Sequence, residues 1–295
     1  MPNNSRAQSA MEYLMTYGWA ILIIAVVLAA LFELGVFNAG NLGPRAQPGS
    51  CRVFRPGGPG TGTNLNLAGV CNGELPQFVG KFSGSSSNIQ TTLTFPRSAQ
   101  AFSLSVWVNP SSNTTCTFYC GIVDSDNGTN GWGLVWWPYS PPVADFWIQG
   151  TNQDMEFSGV PVGSWTNIIV TYQEVGGTWY GNGYVNGRPV DLNVARSPIT
   201  LPEPYSLWIG TARQASSGFA GYIANVQVYN ASLSSNEIAA LYVEGVGGAP
   251  ISLQNIVGWW PLNGNAQDYS GNNNNGQISG GVTFTSQWTS GYTIP

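Results

Sequence analysis

The 295-residue sequence contains no histidine, a single lysine, Lys81, and only 8% charged residues. Without histidine it lacks the commonest general base and the commonest transition-metal ligand. The formal net charge of -5 leaves no basic stripe to neutralise phosphates, which excludes a nucleic-acid partner. Solubility therefore depends on Asn, Ser, Thr, Gln and Gly, and a surface with so few titrating groups should respond little to pH.

Cysteine is also scarce, at four residues: Cys51, Cys71, Cys116 and Cys120. An even number in an exported chain favours disulfides, and four cysteines allow three pairings. We favour Cys51–Cys71 and Cys116–Cys120 because each pair is local. The alternative, a thiolate metal site, is disfavoured because the sequence has no Cys-x-x-Cys pair.

Charge is absent altogether from residues 14–32, whose sequence is LMTYGWAILIIAVVLAALF. At about 1.5 Å per helical residue, this stretch is about long enough to span the core of a bilayer. No proline occurs between Pro2 and Pro44. We therefore expect one hydrophobic helix over residues 8–37, ended by the glycines and the proline that follow it.

The residues before this apolar run differ from an ordinary secretory signal, in which the small-residue cleavage site follows the apolar stretch. Here the small-residue site comes first, in the segment RAQSAMEY at residues 6–13. This segment resembles the class III signal of archaeal type IV pilins, in which a basic residue, a small residue and Gln-x-x-x-Glu precede the helix. The resemblance implies that a prepilin peptidase cleaves between Ala7 and Gln8, removing leader residues 1–7 and leaving the helix on the mature protein.

Glu12 has a physical role in that interpretation. A carboxylate beside an apolar helix is costly in lipid unless it finds a partner. Cleavage creates an ammonium group on Gln8, and in a helical filament the terminus of one subunit could pair with Glu12 of the next and set the register. Two alternatives stay open: Glu12 flanks an uncleaved membrane anchor, or a conventional signal peptide is cut after Ala39.

A segment dense in Gly, Pro and Asn, residues 38–63, is predicted to be a linker between the helix and a head. It lacks the periodic apolar residues that a strand or helix needs to bury one face. Cys51 lies inside it, so a bridge to Cys71 would tether this linker to the head.

Beyond the linker, the sequence predicts an antiparallel β-sandwich. Alternation of apolar and polar residues marks Phe102–Val108 as a half-buried strand, and Thr166–Tyr172 is a second strong strand pattern. Asn186-Gly187 is typical of a hairpin turn between two strands. The one helix indicated in the head covers Asn236–Tyr242, where Ser234-x-x-Glu237 predicts a capping box.

An ordered series of phrases strengthens this fold prediction. Between Gln77 and Tyr242 the chain contains FSLSVWVNP, NGWGL, SWTNIIVTY, YVNGRPV, LWIG and GFAGYIANVQVYNASLSSNEIAALY, in that order. The series resembles laminin-G-like domains with a concanavalin A-type jelly roll. The resemblance implies two curved antiparallel sheets in a head of residues 64–295 and, often, binding of carbohydrate or protein.

One phrase is out of its usual order. WWPLNGNAQDYSGNNNNG, which such domains normally place at their start, occupies Trp259–Gly276 here. We favour a circular permutation, in which segment 256–295 returns to its usual place in the chain's own sandwich. The alternatives are donation of the segment to a neighbouring subunit, as in strand-complemented filaments, and an independent tail.

The sequence lacks a recognisable catalytic motif. Glucanases that share the jelly roll use an ExDxxE pattern of carboxylates on one strand, and that pattern does not occur here. Asp154 and Glu156 lie two residues apart, but no apolar strand pattern surrounds them. Hydrolysis requires two carboxylates that face a cleft and have separated pKa values. We therefore expect a protein that is not an enzyme.

No cofactor is firmly indicated, and calcium is the ion that two loops favour. Hard oxygen donors alternate in the first loop at Asp268, Ser270, Asn272 and Asn274. The second loop, residues 124–128, has its glycine one position early for an EF-hand. The alternative is that both are turns, because Asp, Asn and Gly favour left-handed backbone and Asx turns.

Aromatic and Asn-x-Ser/Thr segments suggest recognition at a surface. Trp136, Trp137 and Tyr139 lie in the phrase WWPYSPP, and exposed aromatic faces stack on sugar rings; the alternative is that these side chains fill the sandwich core. Three asparagines begin N-x-S/T triplets and are candidates for glycosylation in an exported protein: Asn113, Asn127 and Asn230.

Together these patterns predict a mainly β protein, with a long hydrophobic N-terminal α-helix followed by an antiparallel jelly-roll sandwich. The favoured function is a structural subunit of an archaeal type IV pilus-like filament, whose lectin-like head serves packing and adhesion. Expected partners are identical subunits, the prepilin peptidase, an assembly ATPase with its membrane platform, and surface glycans. The precursor would lie in the cell membrane and the mature subunit in an extracellular filament. The alternative is a membrane-anchored carbohydrate-binding surface protein that does not polymerise.

Overall fold

The computed structural model describes residues 17, 19–29, 50–54, 63–66, 75–84, 87–94, 100–112, 116, 119–126, 131–148, 154–196, 206–212 and 217–295. The chain divides into two compact units, Met1–Gln47 and Pro48–Pro295. The first unit contains the N-terminal helical segment, and the second contains all of the described strands.

Helix α1 covers residues 19–29, inside the helix predicted over residues 8–37. Apart from residue 17, which is also helical, the rest of that prediction lies outside the described residues. The large apolar side chains of α1 are exposed, from 49% at Leu28 to 65% at Trp19 and Ile21. Within the described ranges, no helix combines the length and the hydrophobicity that crossing a membrane requires.

The second unit contains twenty strands and one helix within its described residues. The first ten strands are β1 (Ser50–Phe54), β2 (Thr63–Asn66), β3 (Leu75–Pro76), β4 (Val79–Ser83), β5 (Asn88–Gln90), β6 (Ala101–Pro110), β7 (Cys120–Asp126), β8 (Gly131–Trp137), β9 (Val143–Ile148) and β10 (Met155–Ser158). The others are β11 (Thr166–Val175), β12 (Thr178–Val185), β13 (Arg188–Arg196), β14 (Trp208–Ile209), β15 (Thr211–Ala212), β16 (Ser217–Gly218), β17 (Ala220–Tyr229), β18 (Ile256–Trp260), β19 (Gln277–Ser279) and β20 (Thr283–Thr285). Helix α2 is Ser235–Glu244.

Two large sheets form a sandwich, which confirms the predicted mainly β, antiparallel architecture. One sheet, called the open sheet below, has nine strands in the order β10-β9-β8-β7-β14-β5-β19, with β15 and β16 beside β7. The other, called the covered sheet, has eight strands in the order β13-β12-β11-β6-β17-β4-β20, with β18 beside β17. Their inner faces share one apolar core, in which Leu104 and Val170 of the covered sheet join Trp132 and Phe146 of the open sheet.

The covered sheet is apolar on both faces. Every residue from Thr166 to Tyr172 in β11 is buried, because Ile168 and Val170 point into the sandwich while Ile169 belongs to a second cluster on the outer side. Helix α2 packs on that outer side through Ile238 and Leu241. The alternation in Phe102–Val108 predicted a half-buried strand, but every one of these residues in β6 is buried too, because a second layer covers this sheet.

Local signals from the sequence are confirmed at two positions. Asn186 and Gly187 connect β12 and β13 with φ angles of 50° and 70°, left-handed values that Asn and Gly tolerate best. Helix α2 has the predicted capping box, since the Ser234 hydroxyl accepts from the Glu237 N–H and the Glu237 carboxylate accepts from the Ser234 N–H. The helix extends beyond the predicted Asn236–Tyr242 by one residue at its start and two at its end.

The predicted linker contains ordered strand. Residues 50–54 form β1, which pairs antiparallel with β2 and parallel with β3 in a separate three-stranded sheet. Their sequence, SCRVF, is a run without glycine or proline inside a window rich in both. Averaging composition over the window concealed this short β-forming run, and for the rest of residues 38–63 the linker stays a prediction.

The C-terminal segment pairs within its own chain. Strand β18 is antiparallel to β17, β19 to β5, and β20 to β4. The segment thus supplies strands to both large sheets, as the permuted arrangement predicts. It is not an independent tail.

Candidate functional site

The outer face of the open sheet carries the side chains that alternation turns away from the core. In β9, Ala144, Phe146 and Ile148 are buried while Val143, Asp145 and Trp147 are half-buried. In β10 the pattern repeats, with Met155 and Phe157 buried and Glu156 and Ser158 exposed. No helix among the described residues packs over this face, in contrast to the covered sheet.

A cleft of about 340 Å³ lies at this face, lined by Trp137, Tyr139, Pro141, Val143, Asp145 and Glu156. The lining comes from the end of β8, the segment after it, and strands β9 and β10. A cleft of this size, built from aromatic walls and a few polar groups, is typical of small-molecule binding sites.

Two aromatic rings, Trp137 and Tyr139, line the cleft, and a third ring packs against Trp137. Trp137 and Tyr139 stack with ring centroids 5.2 Å apart and an interplanar angle of 25°. Tyr119 meets Trp137 edge-on, with centroids 5.2 Å apart. Tyr139 remains 58% exposed. The Trp137 ring thus contacts two aromatic neighbours, while Tyr139 offers a ring to solvent.

The Tyr119 phenol lies in a partly buried, acidic setting. Burial raises its pKa above the ordinary value, and the negative charges of Asp124 and Asp126 raise it further. Tyr119 therefore stays a neutral hydroxyl at ordinary pH and can donate or accept a hydrogen bond.

Two carboxylates stand side by side in the cleft. Glu156 of β10 is the direct cross-strand partner of Asp145 in β9. Glu156 is exposed and Asp145 is half-buried, so both border the cleft. Asp154, just before β10, is exposed as well.

The sequence shows no apolar strand pattern around Asp154 and Glu156, but the structure places a strand there. Met155 and Phe157 point into the core and make Met155–Ser158 a strand, too short for alternation to identify alone. Sequence reasoning missed Asp145 altogether, because its proximity to Glu156 follows from strand register. The alternating phrase VADFWI was the signal available for its outward position.

A second row of outward residues crosses the sheet beside the cleft. Trp208 pairs with Asp124, Asp124 with Gly133, and Gly133 with Trp147. The Trp147 indole lies over Gly133, where an added Cβ would be only 2.6 Å from Nε1 and 3.0 Å from an Asp124 oxygen. Glycine at this position therefore lets the indole lie flat beside the carboxylate.

Trp136 is not part of the recognition surface, which corrects the sequence interpretation. It is 1% exposed, belongs to the core between the sheets, and donates from Nε1 to the Val160 carbonyl at 3.3 Å. Neighbouring residues on a strand point to opposite faces, so Trp136 and Trp137 could not both be exposed on one face. Of the three aromatic candidates, the structure brings Trp137 and Tyr139 together in the cleft.

The predicted calcium loop is held by internal hydrogen bonds. The Asp268 carboxylate accepts from the backbone N–H groups of Trp259 at 3.0 Å, Ser270 at 2.8 Å and Asn274 at 2.8 Å. The Asn272 and Asn274 amides donate to the Val257 carbonyl at 3.2 and 2.8 Å. These bonds join the loop to β18, as expected if the loop is a turn held by its own side chains. Calcium binding there stays a prediction.

Metal ligands do not cluster elsewhere in the described part of the chain, where no group of three or more Cys, Asp or Glu side chains is close enough to hold an ion. In the second predicted loop, the Asp126 N–H donates to Asp124 Oδ1 at 3.1 Å. Residues 127 and 128 of that loop lie outside the described residues.

Other predicted sites fall partly within the described residues. The structure joins Cys116 and Cys120 by a disulfide, the local pairing that we favoured. Cys71 lies outside the described residues, so its bridge to Cys51 stays a prediction. Asn230 is exposed at the end of β17, as a glycosylation site requires. The remaining predicted residues, Ala7, Gln8, Glu12, Asn113 and Asn127, are outside the described ranges.

Comparison with known families decides what kind of domain carries this cleft. The model of the concanavalin A-like lectin/glucanases superfamily matches residues 83–239, more than half of the chain. The chain belongs to this superfamily. The match includes every strand from β5 to β17 and therefore the entire cleft, whereas the C-terminal segment lies beyond it.

Solved structures share the fold of this superfamily member at low sequence identity. A Bacteroides ovatus protein named for carbohydrate binding aligns with a TM-score of 0.50 and 14% identity, over 76% of this chain and 66% of its own. The heptameric SAP-like pentraxin of Limulus polyphemus aligns with a TM-score of 0.51 and 12% identity, over 70% of this chain and 94% of its own. The chain thus spans just under two thirds of the Bacteroides ovatus protein. A comparison with curated proteins gives no match.

Proposed function

We propose that the head of this superfamily member binds carbohydrate, and that the cleft of Trp137, Tyr139, Asp145 and Glu156 is the binding site. The observation that carries the proposal is the exposed Tyr139 ring, stacked on Trp137 beside two carboxylates. A sugar ring presents an apolar C–H face and a rim of hydroxyls. The aromatic rings can stack on the C–H face, and the carboxylates can accept hydrogen bonds from the hydroxyls.

Preorganisation supports this site. Trp137 contacts both Tyr119 and Tyr139, so little side-chain freedom remains to be lost when a ligand binds beside it. The strands below the cleft are fixed by the core through Phe146, Met155 and Phe157. The name of the Bacteroides ovatus protein suggests the same class of ligand.

The proposal is binding without catalysis. Hydrolysis of a glycosidic bond requires one carboxylic acid and one carboxylate in defined positions on either side of that bond. The glucanase ExDxxE pattern is absent from the sequence, and Asp145 and Glu156 lie on different strands. A protein that only binds should return oligosaccharides unchanged.

A glycan array probed with the full-length chain tests the proposed site. We expect binding to a defined set of glycans, lost on Trp137→Ala and reduced on Tyr139→Ala. The matched control is Tyr269→Ala, because Tyr269 is 49% exposed and outside the cleft. Glycan binding that survives both cleft substitutions would place the site elsewhere, and chromatographic release of shortened sugars would contradict binding without catalysis.

We propose a second function, assembly, for the N-terminal unit. Its supporting observation is the exposed apolar surface of α1, where Trp19 and Ile21 are each 65% exposed. An exposed surface this apolar is expected to be covered by lipid or by another protein surface. Together with the pilin-like residues around Ala7 and Glu12, it favours a subunit of a filament on the cell surface, made from a membrane precursor by a prepilin peptidase and an assembly ATPase. An anchored lectin that does not polymerise is the alternative.

N-terminal sequencing of the protein recovered from cells separates the possibilities. We expect Gln8 as the first residue, and filaments containing the protein in electron micrographs. Glu12→Ala should abolish or disorder those filaments while leaving glycan binding by the head intact. An uncleaved N-terminus on the mature protein would remove the pilin-type proposal, and filaments that are normal in the Glu12 variant would remove its pairing role.

A further inference from the structure

A second cavity, called the polar groove below, lies on the outer face of the covered sheet. It has a volume of about 460 Å³ and is formed by β11, β12, β13 and the segment that leads into α2. None of the described residues that line it is charged. Most of them carry an amide or a hydroxyl group: Gln173, Asn182, Tyr184, Ser232, Ser234 and Ser235. A groove of this size and chemistry suits a neutral ligand rich in hydroxyl groups.

Tyr184 supplies the polar groove with a fixed hydroxyl. The residue is 6% exposed, and its ring packs with Ile169, Leu233 and Leu241 in the cluster beneath α2. Burial raises the pKa of this phenol, so it stays neutral and can both donate and accept. Its hydroxyl makes no hydrogen bond to another described residue. A partner for this hydroxyl therefore has to come from outside the described residues, and the groove gives access to it.

Other polar groups of the groove are also available to a ligand. Among the described residues, the carboxamide of Gln173 and the hydroxyls of Ser232 and Ser235 have no hydrogen-bond partner. The Asp268 loop is different, because its carboxylate accepts from three backbone N–H groups of its own chain. The polar groove thus presents donors and acceptors that the protein itself does not use.

The predicted glycosylation triplet Asn230-Ala231-Ser232 ends in this groove. Ser232 lines it, and the exposed Asn230 comes two residues earlier, at most about 7 Å along the backbone. The Asn230 N–H donates to the Asn255 carbonyl at 2.9 Å, and the Ala231 carbonyl accepts from the Ser103 hydroxyl at 2.7 Å. These two bonds fix the backbone of the triplet, so a glycan attached to Asn230 would begin beside the groove.

We propose that Asn230 carries an N-linked glycan whose first sugar units lie in the polar groove. Attachment joins the amide nitrogen to the anomeric carbon of a sugar on a lipid-phosphate carrier, with loss of one amide proton and release of the carrier phosphate. The sugar hydroxyls bond to Gln173 and Tyr184, and the sugar's C–H groups cover Leu192, which is 47% exposed. Because β13 is the edge strand of the covered sheet, the glycan also shields that edge from other chains.

Mass spectrometry and urea unfolding of the full-length chain, recovered from the cells that make it, test the inference. We expect a glycan on Asn230, and we expect Asn230→Gln to raise the equilibrium constant for unfolding about tenfold, the effect of one or two lost hydrogen bonds. A matched pair at position 232 separates the glycan from the side chain. Ser232→Thr keeps the triplet and should keep both glycan and stability, whereas Ser232→Ala removes the triplet and should behave like Asn230→Gln.

A double-mutant cycle shows whether the glycan lies in the groove. Tyr184→Phe keeps the buried ring and removes only the hydroxyl. It should raise the unfolding constant about fivefold in the glycosylated chain and less than about twofold in the Asn230→Gln chain. Tyr269→Phe is the control, because the Tyr269 hydroxyl accepts from the Asn265 amide at 3.0 Å and lies outside the groove. Its effect should be the same in both chains.

Three outcomes would overturn this proposal while leaving the cleft proposal untouched. An unmodified Asn230 in the cellular protein removes the glycan. Additive effects of Asn230→Gln and Tyr184→Phe would mean that the glycan projects away from the groove. Calorimetric binding of maltohexaose to the glycosylated chain, abolished by Tyr184→Phe, would mean that the groove is open and takes an external sugar.

Discussion

The two large sheets share one core but differ on their outer faces. Helix α2 and the C-terminal residues Trp288 and Tyr292 pack on the covered sheet, where Trp107 stacks with Tyr242 at 5.8 Å and meets Tyr292 edge-on. On the open sheet the outer face is uncovered at β9 and β10, where Asp145 and Trp147 are half-buried and Glu156 is exposed, whereas β7 and nearly all of β8 are buried on both faces. Both faces are rich in aromatic rings, but the rings are used differently.

This difference indicates which outer face stabilises the fold and which is available for binding. On the covered face, aromatic rings are buried against one another, and a polar network in which Asn225 and Gln227 donate to the Gly248 carbonyl fixes the layer. At the exposed positions of the open face, such as Glu156 and Ser158, substitution removes little buried area. We therefore expect changes on the covered face to affect folding and changes on the open face to affect binding.

The largest expected effect is on the covered face. Trp288 is 1% exposed and meets Trp165 and Tyr292 edge-on, so Trp288→Ala should lower the free energy of unfolding by about 3–5 kcal/mol. Urea unfolding followed by fluorescence measures this loss. The control Leu253→Ala, at a residue that is 68% exposed, should change stability by less than about 0.5 kcal/mol. Equal effects of the two substitutions would show that the C-terminal layer does not stabilise the sheet.

The next effect depends on pH. Burial raises the pKa of Tyr292 from 10.0 to about 12, although the hydrogen bond from the Val246 N–H opposes the shift. The neutral phenol is favoured in the folded state, so its stabilisation is complete below pH 10 and is lost as pH rises towards 12. The loss should be about 2–3 kcal/mol. Compared with the native chain, Tyr292→Phe should flatten this part of the stability curve, with Tyr269→Phe as the control; an unchanged curve would contradict the assignment to Tyr292.

A smaller effect is expected where the open face is tightly packed. Gly133→Ala introduces a Cβ 2.6 Å from Trp147 Nε1, which should cost about 1–3 kcal/mol because the half-buried indole has to move. A double-mutant cycle with Trp147→Ala checks the cause, since removing the indole should relieve most of the cost. Additive losses in the cycle would point to backbone strain in β8 instead.

The smallest effect on stability accompanies a clear loss of binding. Tyr139→Ala removes a ring that is 58% exposed, so unfolding should change by less than about 0.5 kcal/mol. Loss of its stacking should nevertheless weaken glycan binding about tenfold or more. Unfolding and calorimetry on one preparation give both values. A large loss of stability here would break the contrast between the two faces.

The fold could be predicted largely from the sequence because its signals are local. Alternation in Phe102–Val108, the Asn186-Gly187 turn and the Ser234 capping box each involve residues close in the chain. β1 was missed because its five residues, none of them glycine or proline, lie in a window dominated by those two residue types. The long hydrophobic helix is described only over residues 19–29.

The candidate site could be predicted only in part because it depends on register. Trp137 and Tyr139 were found from composition, but Trp136 was included with them although strand alternation sends it to the core. Asp145 was missed because its partner Glu156 comes from another strand, with a connection between them that no local pattern specifies. In the C-terminal loop, oxygen-rich residues suggested an ion, whereas Asp268 accepts three backbone N–H groups.

The pairing of β19 with β5 and of β20 with β4 constrains how the protein is made. One edge of β4 and one edge of β5 therefore stay unpaired until almost the entire chain has been synthesised. Contacts this distant in sequence form slowly, and the waiting edges invite association with other chains. We therefore expect the isolated chain to refold slowly and its refolding yield to fall as the protein concentration rises.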